Sequence, residues 1–155
     1  MWDGYGHSHD KLLGFNARTL HSFEAENIKY VLNCPNKGAM FMIRPTDKAQ
    51  SVILTEDMLS AIRIAEVVHL HTHDVDVGCI MGTSVSKYKL LSLVSKYRKI
   101  ELFLDGDHAG RVATEQWTRE LDPFLDITSI LVDGKDPKHL TNEELSDLLC
   151  HWYPK

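Results

Sequence analysis

Two aspartates, Asp105 and Asp107, stand one residue apart where the apolar run IELFL ends. Like charges this close repel each other, so the pair predicts either a bound cation or a solvated turn in which Asp107 caps a following helix. Mg²⁺ prefers carboxylate oxygens, and a DxD turn lets both side chains reach one cation or two neighbouring cations. Gly106 between them is expected to allow a sharp turn, because glycine has no side chain to clash. The pair alone favours the turn, and a cation site needs further acids at the same place.

The order of apolar runs shows how further acids reach that place. From residue 51 onward, apolar runs alternate with helical patterns, which predicts an α/β fold with a mostly parallel, Rossmann-like sheet and helices on both faces. The predicted strands are 51–55, 77–82, 100–104 and 127–132, and the predicted helices are 57–67, 86–97, one from near His108 and one capped by Thr141 and Glu144. Ligands bind such sheets at the carboxyl ends of the strands. Glu56, the Asp105/Asp107 pair and Asp136 follow three of the strands, so we expect them to meet at one rim and to favour a cation there.

The predicted domain organisation places a small N-terminal subdomain at residues 1–50 and a catalytic domain at residues 51–155. The short apolar pieces YVL (30–32) and AMFMI (39–43) predict a partly antiparallel sheet in the first part. Within the second part, helical spacing predicts inward faces formed by Leu59, Ile62 and Ala65, by Leu90, Leu91, Val94 and Tyr97, and by Ala109, Val112, Ala113, Trp117 and Leu121.

Composition limits the class of protein. The 155 residues are 43% hydrophobic, which is enough to bury a core. No apolar run approaches the roughly 18 residues of a membrane span, and the three cysteines form no CxxC pair, so we expect a cytoplasmic protein with reduced thiols and no membrane partner. A net charge of −5 disfavours strong DNA binding without a cation. A metal-dependent enzyme acting on nucleotides stays compatible with that charge.

These motifs together resemble the TOPRIM domain in its primase form, which bacterial replicative primases and bacteriophage primase–helicases share. The matching elements are Glu56 after the first strand, DGDHAGR (105–111), GKDP (134–137) and the Gly-Thr turn in GTSVSKYKLLSL (82–93). Upstream, GFNAR (14–18) and Lys29-Tyr30 resemble the arginine and Lys-Tyr elements of the phage-type enzymes. The resemblance covers residues 12–147.

The resemblance implies a DNA primase-type nucleotidyltransferase that makes short RNA primers on single-stranded DNA in phage-type DNA replication. It implies Mg²⁺ as the cofactor, with Mn²⁺ as an alternative, and NTPs and a single-stranded DNA template as substrates. Glu56, Asp105 and Asp107 would be the catalytic residues and, with Asp136, the metal ligands. The residues implied to contact nucleotide or DNA are Arg18, Lys29, Arg111 and Lys135.

The sequence departs from the family pattern at two elements. The first motif of the family usually reads Glu-Gly-x-x-Asp, whereas this chain has Asp57 and Ser60 at its second and fifth positions. An acid usually follows GKDP closely, whereas this chain has Lys138 and His139. The 155 residues also contain neither a zinc module nor a Walker A motif, which predicts a catalytic core that works with a separate helicase or zinc-binding template-recognition partner.

Three alternatives remain open on the sequence. A small TOPRIM nuclease would use the same carboxylates and metal for hydrolysis, and a non-catalytic TOPRIM module would keep the fold to bind a replication or host partner. Separately, His69, His71 and His73 alternate as zinc ligands would in an extended segment, although a solvated loop explains them as well.

Overall fold

A computed structural model describes residues 15–18, 30–33, 39–82 and 84–154. The strands are β1 (Phe15–Arg18), β2 (Tyr30–Asn33), β3 (Phe41–Ile43), β4 (Ser51–Thr55), β5 (Val75–Cys79), β6 (Lys99–Leu102) and β7 (Asp126–Ser129). The helices are α1 (Met58–Val68), α2 (Lys87–Lys96), α3 (His108–Leu121) and α4 (Asn142–Leu149), with short 3₁₀ turns at Pro137–His139 and Cys150–Trp152. None of these helices has the length and apolar composition needed to span a membrane.

The strands form two sheets. β1 and β2 pair antiparallel, whereas the larger sheet has the order β3-β5-β4-β6-β7. Within it β5, β4, β6 and β7 are parallel and only β3 runs antiparallel, at the edge beside β5. The α/β fold with a mostly parallel sheet is therefore confirmed. The grouping of β3 with the small N-terminal sheet was wrong, since Phe41 pairs with Cys79 and Ile43 with Val77.

Helices cover both faces of the larger sheet, as predicted. Successive side chains of a strand point to opposite faces, and in β4 Val52 and Leu54 enter one core while Ile53 enters the other. The first core contains α2 and α3 residues such as Trp117, and the second contains α1 and α4 residues such as Leu145. The sheet is thus a central layer whose ends, not its faces, are open for a site.

The predicted inward faces of two helices need correction. In α1, Leu59 and Ile62 are 46% and 38% exposed, and the buried stripe is instead formed by Ser60, Ala61, Ile64, Ala65, Val67 and Val68. In α2, Leu91 is 69% exposed and Leu93 is fully buried. Apolar residues lie on more than one side of both helices, so spacing alone did not select the side that contacts the sheet. In α3 the prediction was right for Ala113, Trp117 and Leu121, which are buried, and wrong for Ala109 and Val112, which are exposed.

Candidate active site

The acid-bearing loops leave three adjacent parallel strands at the same end. β4, β6 and β7 are neighbours, and their pairing continues past their last residues through hydrogen bonds from Phe103 N to Leu54 O (2.8 Å) and from Ile130 N to Leu102 O (2.8 Å). The loops that follow carry Glu56, the Asp105/Asp107 pair and the segment 133–136. We call these loops the acidic rim.

The Glu56 loop is held by the backbone around it. The Thr55 hydroxyl donates to Asp57 O at 2.8 Å and to Gly78 O at 3.3 Å, and the Thr55 side chain is buried. Gly82 N donates to Glu56 O at 3.2 Å, and Ile80 N donates to Thr55 O at 2.9 Å. The backbone of Glu56 is therefore fixed by both β5 and the connection that follows it.

The Asp105–Asp107 loop packs directly on the loop after β7. Gly106 N donates to Lys135 O at 3.1 Å, and Gly134 N donates to Gly106 O at 3.0 Å. A Cβ atom on Gly106 would lie 1.8 Å from Val132 O, which no real structure tolerates. Glycine is thus required here by close packing and not by a positive φ, since the described glycines with positive φ are Gly82 and Gly134. The expected turn is present as a bend at Gly106 and Asp107, and the absence of a side chain at Gly106 avoids the clash.

Asp107 is the N-cap of α3. Its Oδ1 accepts a hydrogen bond from Gly110 N at 2.8 Å, which satisfies one of the backbone donors at the helix start. The capping interpretation of the DxD pair is therefore correct for this residue. A carboxylate has a second oxygen, so the cap does not remove Asp107 as a cation ligand.

Burial and mutual repulsion make two of the rim acids, Glu56 and Asp105, reluctant to ionise. Burial, followed by the charges of Asp105, Asp107 and Asp57, raises the pKa of Glu56 to about 7, although Lys138 opposes the shift. Burial likewise raises the pKa of Asp105 to about 6, against the opposing charge of Lys138. Asp105 Oδ1 is also buried without a hydrogen-bond partner. A cation beside these groups would relieve both the repulsion and the unsatisfied oxygen.

A cationic side chain already lies at the rim. Lys138 Nζ is 2.8 Å from Asp136 Oδ2, 2.9 Å from Asp57 Oδ2 and 3.9 Å from Asp105 Oδ2. Burial alone would lower the pKa of Lys138, but hydrogen bonds to Asp136 and Asp57 raise it to about 12. For Asp57, burial alone would raise the pKa, but the ammonium of Lys138 and the hydroxyl of Ser60 hold it below its usual 3.8. Lys138 is therefore a permanent positive charge at neutral pH.

The carboxylates of Glu56, Asp105 and Asp107 fit a cation that keeps many of its bound water molecules. Among the residues with described coordinates, no three His, Cys, Asp or Glu side chains form a ready-made metal cage. Mg²⁺ needs only one or two carboxylates, and Glu56, Asp105 and Asp107 supply hard oxygen donors, one of them unpartnered. Asp136 is instead engaged by Lys138. Metal binding by all four acids stays a prediction.

The four basic residues implied to contact nucleotide or DNA differ in position. Arg111 Nη2 forms an ion pair with Asp133 Oδ1, and Lys135 Nζ forms one with Glu144 Oε1 at 2.7 Å. Both basic residues therefore lie at the rim, in exposed ion pairs. Arg18 lies in β1, where only the backbone is described, and Lys29 lies outside the described residues. Phosphate contact by any of them stays a prediction.

The histidines at 69–73 do not converge on a metal. His69 Nε2 is 2.9 Å from Val75 O, and the ring of His71 packs on Tyr153 with centroids 4.0 Å apart. The rings of His69 and His73 are 6.3 Å apart. Among the described residues, His69 and His71 contact protein groups, and zinc binding by the three histidines stays a prediction.

Solved structures resemble this arrangement, whereas no protein-family model matches the sequence and no curated protein matches it significantly. A DNA primase domain from Pseudomonas aeruginosa superposes with a TM-score of 0.74 at 20% sequence identity, over 97% of this chain and 47% of that one. The primase fragment of the bacteriophage T7 primase–helicase protein gives 0.67 at 17% identity, over 97% and 58%. The chain has the primase-type TOPRIM fold.

Two further matches show how much of a primase this TOPRIM fold represents. A small TOPRIM domain protein from Bacillus stearothermophilus superposes with a TM-score of 0.50 at 19% identity, over 66% of this chain and 88% of that one. The chain spans only 37% of the matched Aquifex aeolicus primase structure, which contains zinc-binding and RNA polymerase domains. The likeness therefore concerns the fold of one part of those enzymes.

Sequence reasoning missed the part that Lys138 plays in this TOPRIM fold. The signal was present, since Asp57, Ser60 and Lys138 are departures from the usual motifs. What the sequence could not give is their contact, because 81 residues separate Asp57 from Lys138.

Proposed function

We propose that this chain is the catalytic core of a metal-dependent primase that joins NTPs into short RNA primers on a single-stranded DNA template. The observation that carries the proposal is that the loops with Glu56, Asp105 and Asp107 follow two adjacent parallel strands, at the same end of the sheet. Ligands bind open α/β sheets at this end. The primase-type fold supports the same reaction class.

Each rim residue has a role in the proposed reaction. Glu56, Asp105 and Asp107 would hold Mg²⁺, or Mn²⁺ in its place, which when bound supplies positive charge to the triphosphate and orients the attacking hydroxyl. Glu56 would also serve as a general base or as the residue that orients the metal site. Arg111 and Lys135 would exchange their acidic partners for phosphate oxygens.

The proposed function extends to partners and context. Arg18 and Lys29, upstream of the rim in sequence, would approach nucleotide or template. Template recognition and strand opening would come from a separate zinc-binding protein or helicase, in phage-type DNA replication in the cytoplasm. Some of the matched structures support such partners, because one is a primase–helicase fragment and another contains a zinc-binding domain.

Primer synthesis is the direct test of this proposal. Purified protein, single-stranded DNA and labelled NTPs with Mg²⁺ or Mn²⁺ are expected to yield short oligoribonucleotides, resolved on a denaturing gel. Asp105→Asn/Asp107→Asn is expected to reduce the yield by at least about 100-fold, because it removes the charge that holds the metal. The matched control is Asp122→Asn/Asp126→Asn, since both residues are exposed and lie at the opposite end of the sheet from the rim.

The products also separate the competing functions. Cut nucleic acid without added NTPs would contradict primer synthesis and support the nuclease. An absence of product together with an absence of Mg²⁺ binding in titration would contradict both enzymes and support the interaction module.

A further inference from the structure

The three motif positions at which this chain departs from the TOPRIM pattern contact one another. Ser60 Oγ donates to Asp57 Oδ2 at 2.9 Å, and Lys138 Nζ donates to the same oxygen at 2.9 Å. Asp57 and Ser60 belong to the start of α1, and Lys138 belongs to the 3₁₀ turn, 81 positions after Asp57. The three departures therefore form one hydrogen-bonded group around Asp57.

The ammonium in this group has the surroundings of a bound cation. Lys138 lies between three carboxylates, at 2.8 Å from Asp136, 2.9 Å from Asp57 and 3.9 Å from Asp105. Its side chain is only 19% exposed, so the ammonium interacts mainly with the carboxylates of the rim and little with solvent. Two of its three N–H donors are used by Asp136 and Asp57.

The carboxylates divide into two sets around this ammonium. Asp57 and Asp136 are bonded to Lys138, and Asp57 also caps α1 through Leu59 N at 2.8 Å. Glu56 and Asp107 have no ion pair with Lys138, and Asp105 keeps one buried oxygen without a hydrogen bond. The ammonium therefore neutralises Asp57 and Asp136 most closely, whereas Asp105, at 3.9 Å, is a more distant partner.

We propose that Lys138 is a built-in cation that occupies one cation position of the rim, so that the protein binds a single divalent ion at Glu56, Asp105 and Asp107. Asp136 then serves as a partner of Lys138 and is not a metal ligand. Asp57 and Ser60 hold the ammonium in place. The inference rests on the metal site of the proposed function, but it concerns how many ions bind and not which reaction follows.

The number of bound ions is the measurement that tests the inference. Mn²⁺ titration followed by electron paramagnetic resonance, with isothermal titration calorimetry for Mg²⁺, is expected to give one ion per wild-type chain. Lys138→Met keeps the length of the side chain and removes the charge, and it is expected to bind a second ion. The triple variant Asp57→Gly/Ser60→Asp/Lys138→Asp, which replaces the departures with family-like residues, is expected to bind two ions more tightly than Lys138→Met does.

The control is Lys48→Met, because Lys48 is exposed and precedes β4, at the opposite end of the sheet. It is expected to bind one ion, as the wild type does. Thermal unfolding followed by circular dichroism shows whether each variant is folded. If Lys138→Met does not fold, the number of ions bound by the triple variant provides the test.

The outcomes separate this inference from the proposed function. Two ions in the wild type, or no gain of an ion in either folded variant, would overturn the inference. A wild type with one ion and a Lys138→Met variant with two would support it even if no primers were made, and only the primase proposal would then fail. A wild type that bound no ion would overturn the inference, which requires one ion, and would contradict the metal site of the proposed function as well.

Discussion

At the scale of single residues, the acidic rim is made of side chains and backbone groups with more than one task. Asp107 caps α3 while it faces the predicted cation, and Gly106 lets the carbonyl of Val132 approach the backbone. Residues with such double roles tolerate few replacements, because a change that suits one role harms the other.

Two glycines of the rim allow a direct comparison of close packing with backbone strain. We expect Gly106→Ala to destabilise the protein by about 3 kcal/mol, because the new Cβ would overlap Val132 O and force the two loops apart. Gly134 has a φ of +68° with open space around it, so Gly134→Ala is expected to cost only about 1 kcal/mol of backbone strain. Urea denaturation followed by circular dichroism measures both. Equal losses of unfolding free energy in the two variants would show that the loops around Gly106 and Val132 can move apart without a free-energy cost.

The sequence predicted the identity of the rim acids but not their surroundings. Glu56, Asp105 and Asp107 could be chosen because each follows an apolar run, and chain order is enough to place them at one end of a parallel sheet. The ion pairs of Lys138 depend on where the 3₁₀ turn at Pro137–His139 lies relative to α1, which only the packed structure gives.

At the scale of elements, the connection from α1 to β5 has a pH-sensitive contact. His69 is the C-cap of α1, and its Nε2 lies 2.9 Å from Val75 O at the start of β5. Burial lowers the pKa of His69 below its usual 6.5, despite the opposing hydrogen bond to Val75. The folded protein therefore favours the neutral ring, and this contribution to stability is complete above pH 6.5 and is lost as the pH falls through the lower folded-state pKa.

A His69→Gln variant tests this pH dependence. The glutamine amide can still donate to Val75 O but does not titrate, so the variant lacks this component. Between pH 7.5 and pH 5, the wild type is expected to lose more of its unfolding free energy than the variant does, because the histidine titrates and the glutamine does not. Urea denaturation at the two pH values measures the difference. Parallel losses in the two proteins would argue against His69 as the source.

The order and type of the elements were readable, whereas some of their contacts were not. Thr141 and Glu144 were predicted as a capping box, and both of its hydrogen bonds are present. The partner of β3 was missed, because an edge strand of three residues carries no local signal for a partner more than 30 positions away. The inward face of α1 was predicted only in part: Ala65 is buried as expected, whereas Leu59 and Ile62 are exposed and the small side chain of Ala61 is buried.

At the scale of the whole molecule, charge should control how the protein meets nucleic acid. With a net charge of −5 and acids gathered at one end, the metal-free protein is expected to bind single-stranded DNA weakly. Mg²⁺ should strengthen binding by at least about 10-fold at matched ionic strength, because it offsets the rim charge where the template would approach. Fluorescence anisotropy with labelled DNA, in Mg²⁺ or in EDTA, measures this change.

Asp105→Asn/Asp107→Asn separates a specific ion from general screening. The variant is expected to bind DNA with similar affinity in Mg²⁺ and in EDTA. It lacks the two carboxylates that would hold Mg²⁺, and it also lacks the repulsion between those carboxylates and the DNA phosphates. An Mg²⁺ effect of the same size in this variant would assign the effect to screening elsewhere on the surface.

The hydrogen bonds around Thr55 have a consequence for the entropy of ligand binding. Thr55 and the backbone of Glu56 are tied to Gly78, Ile80 and Gly82, which extends the sheet beyond the last paired residues of β4 and β5. A loop that is already ordered loses little conformational freedom when a ligand arrives, whereas fixing a mobile residue costs about 1–2 kcal/mol. The affinity of the rim for a cation is therefore set by charge and solvation more than by the ordering of the chain.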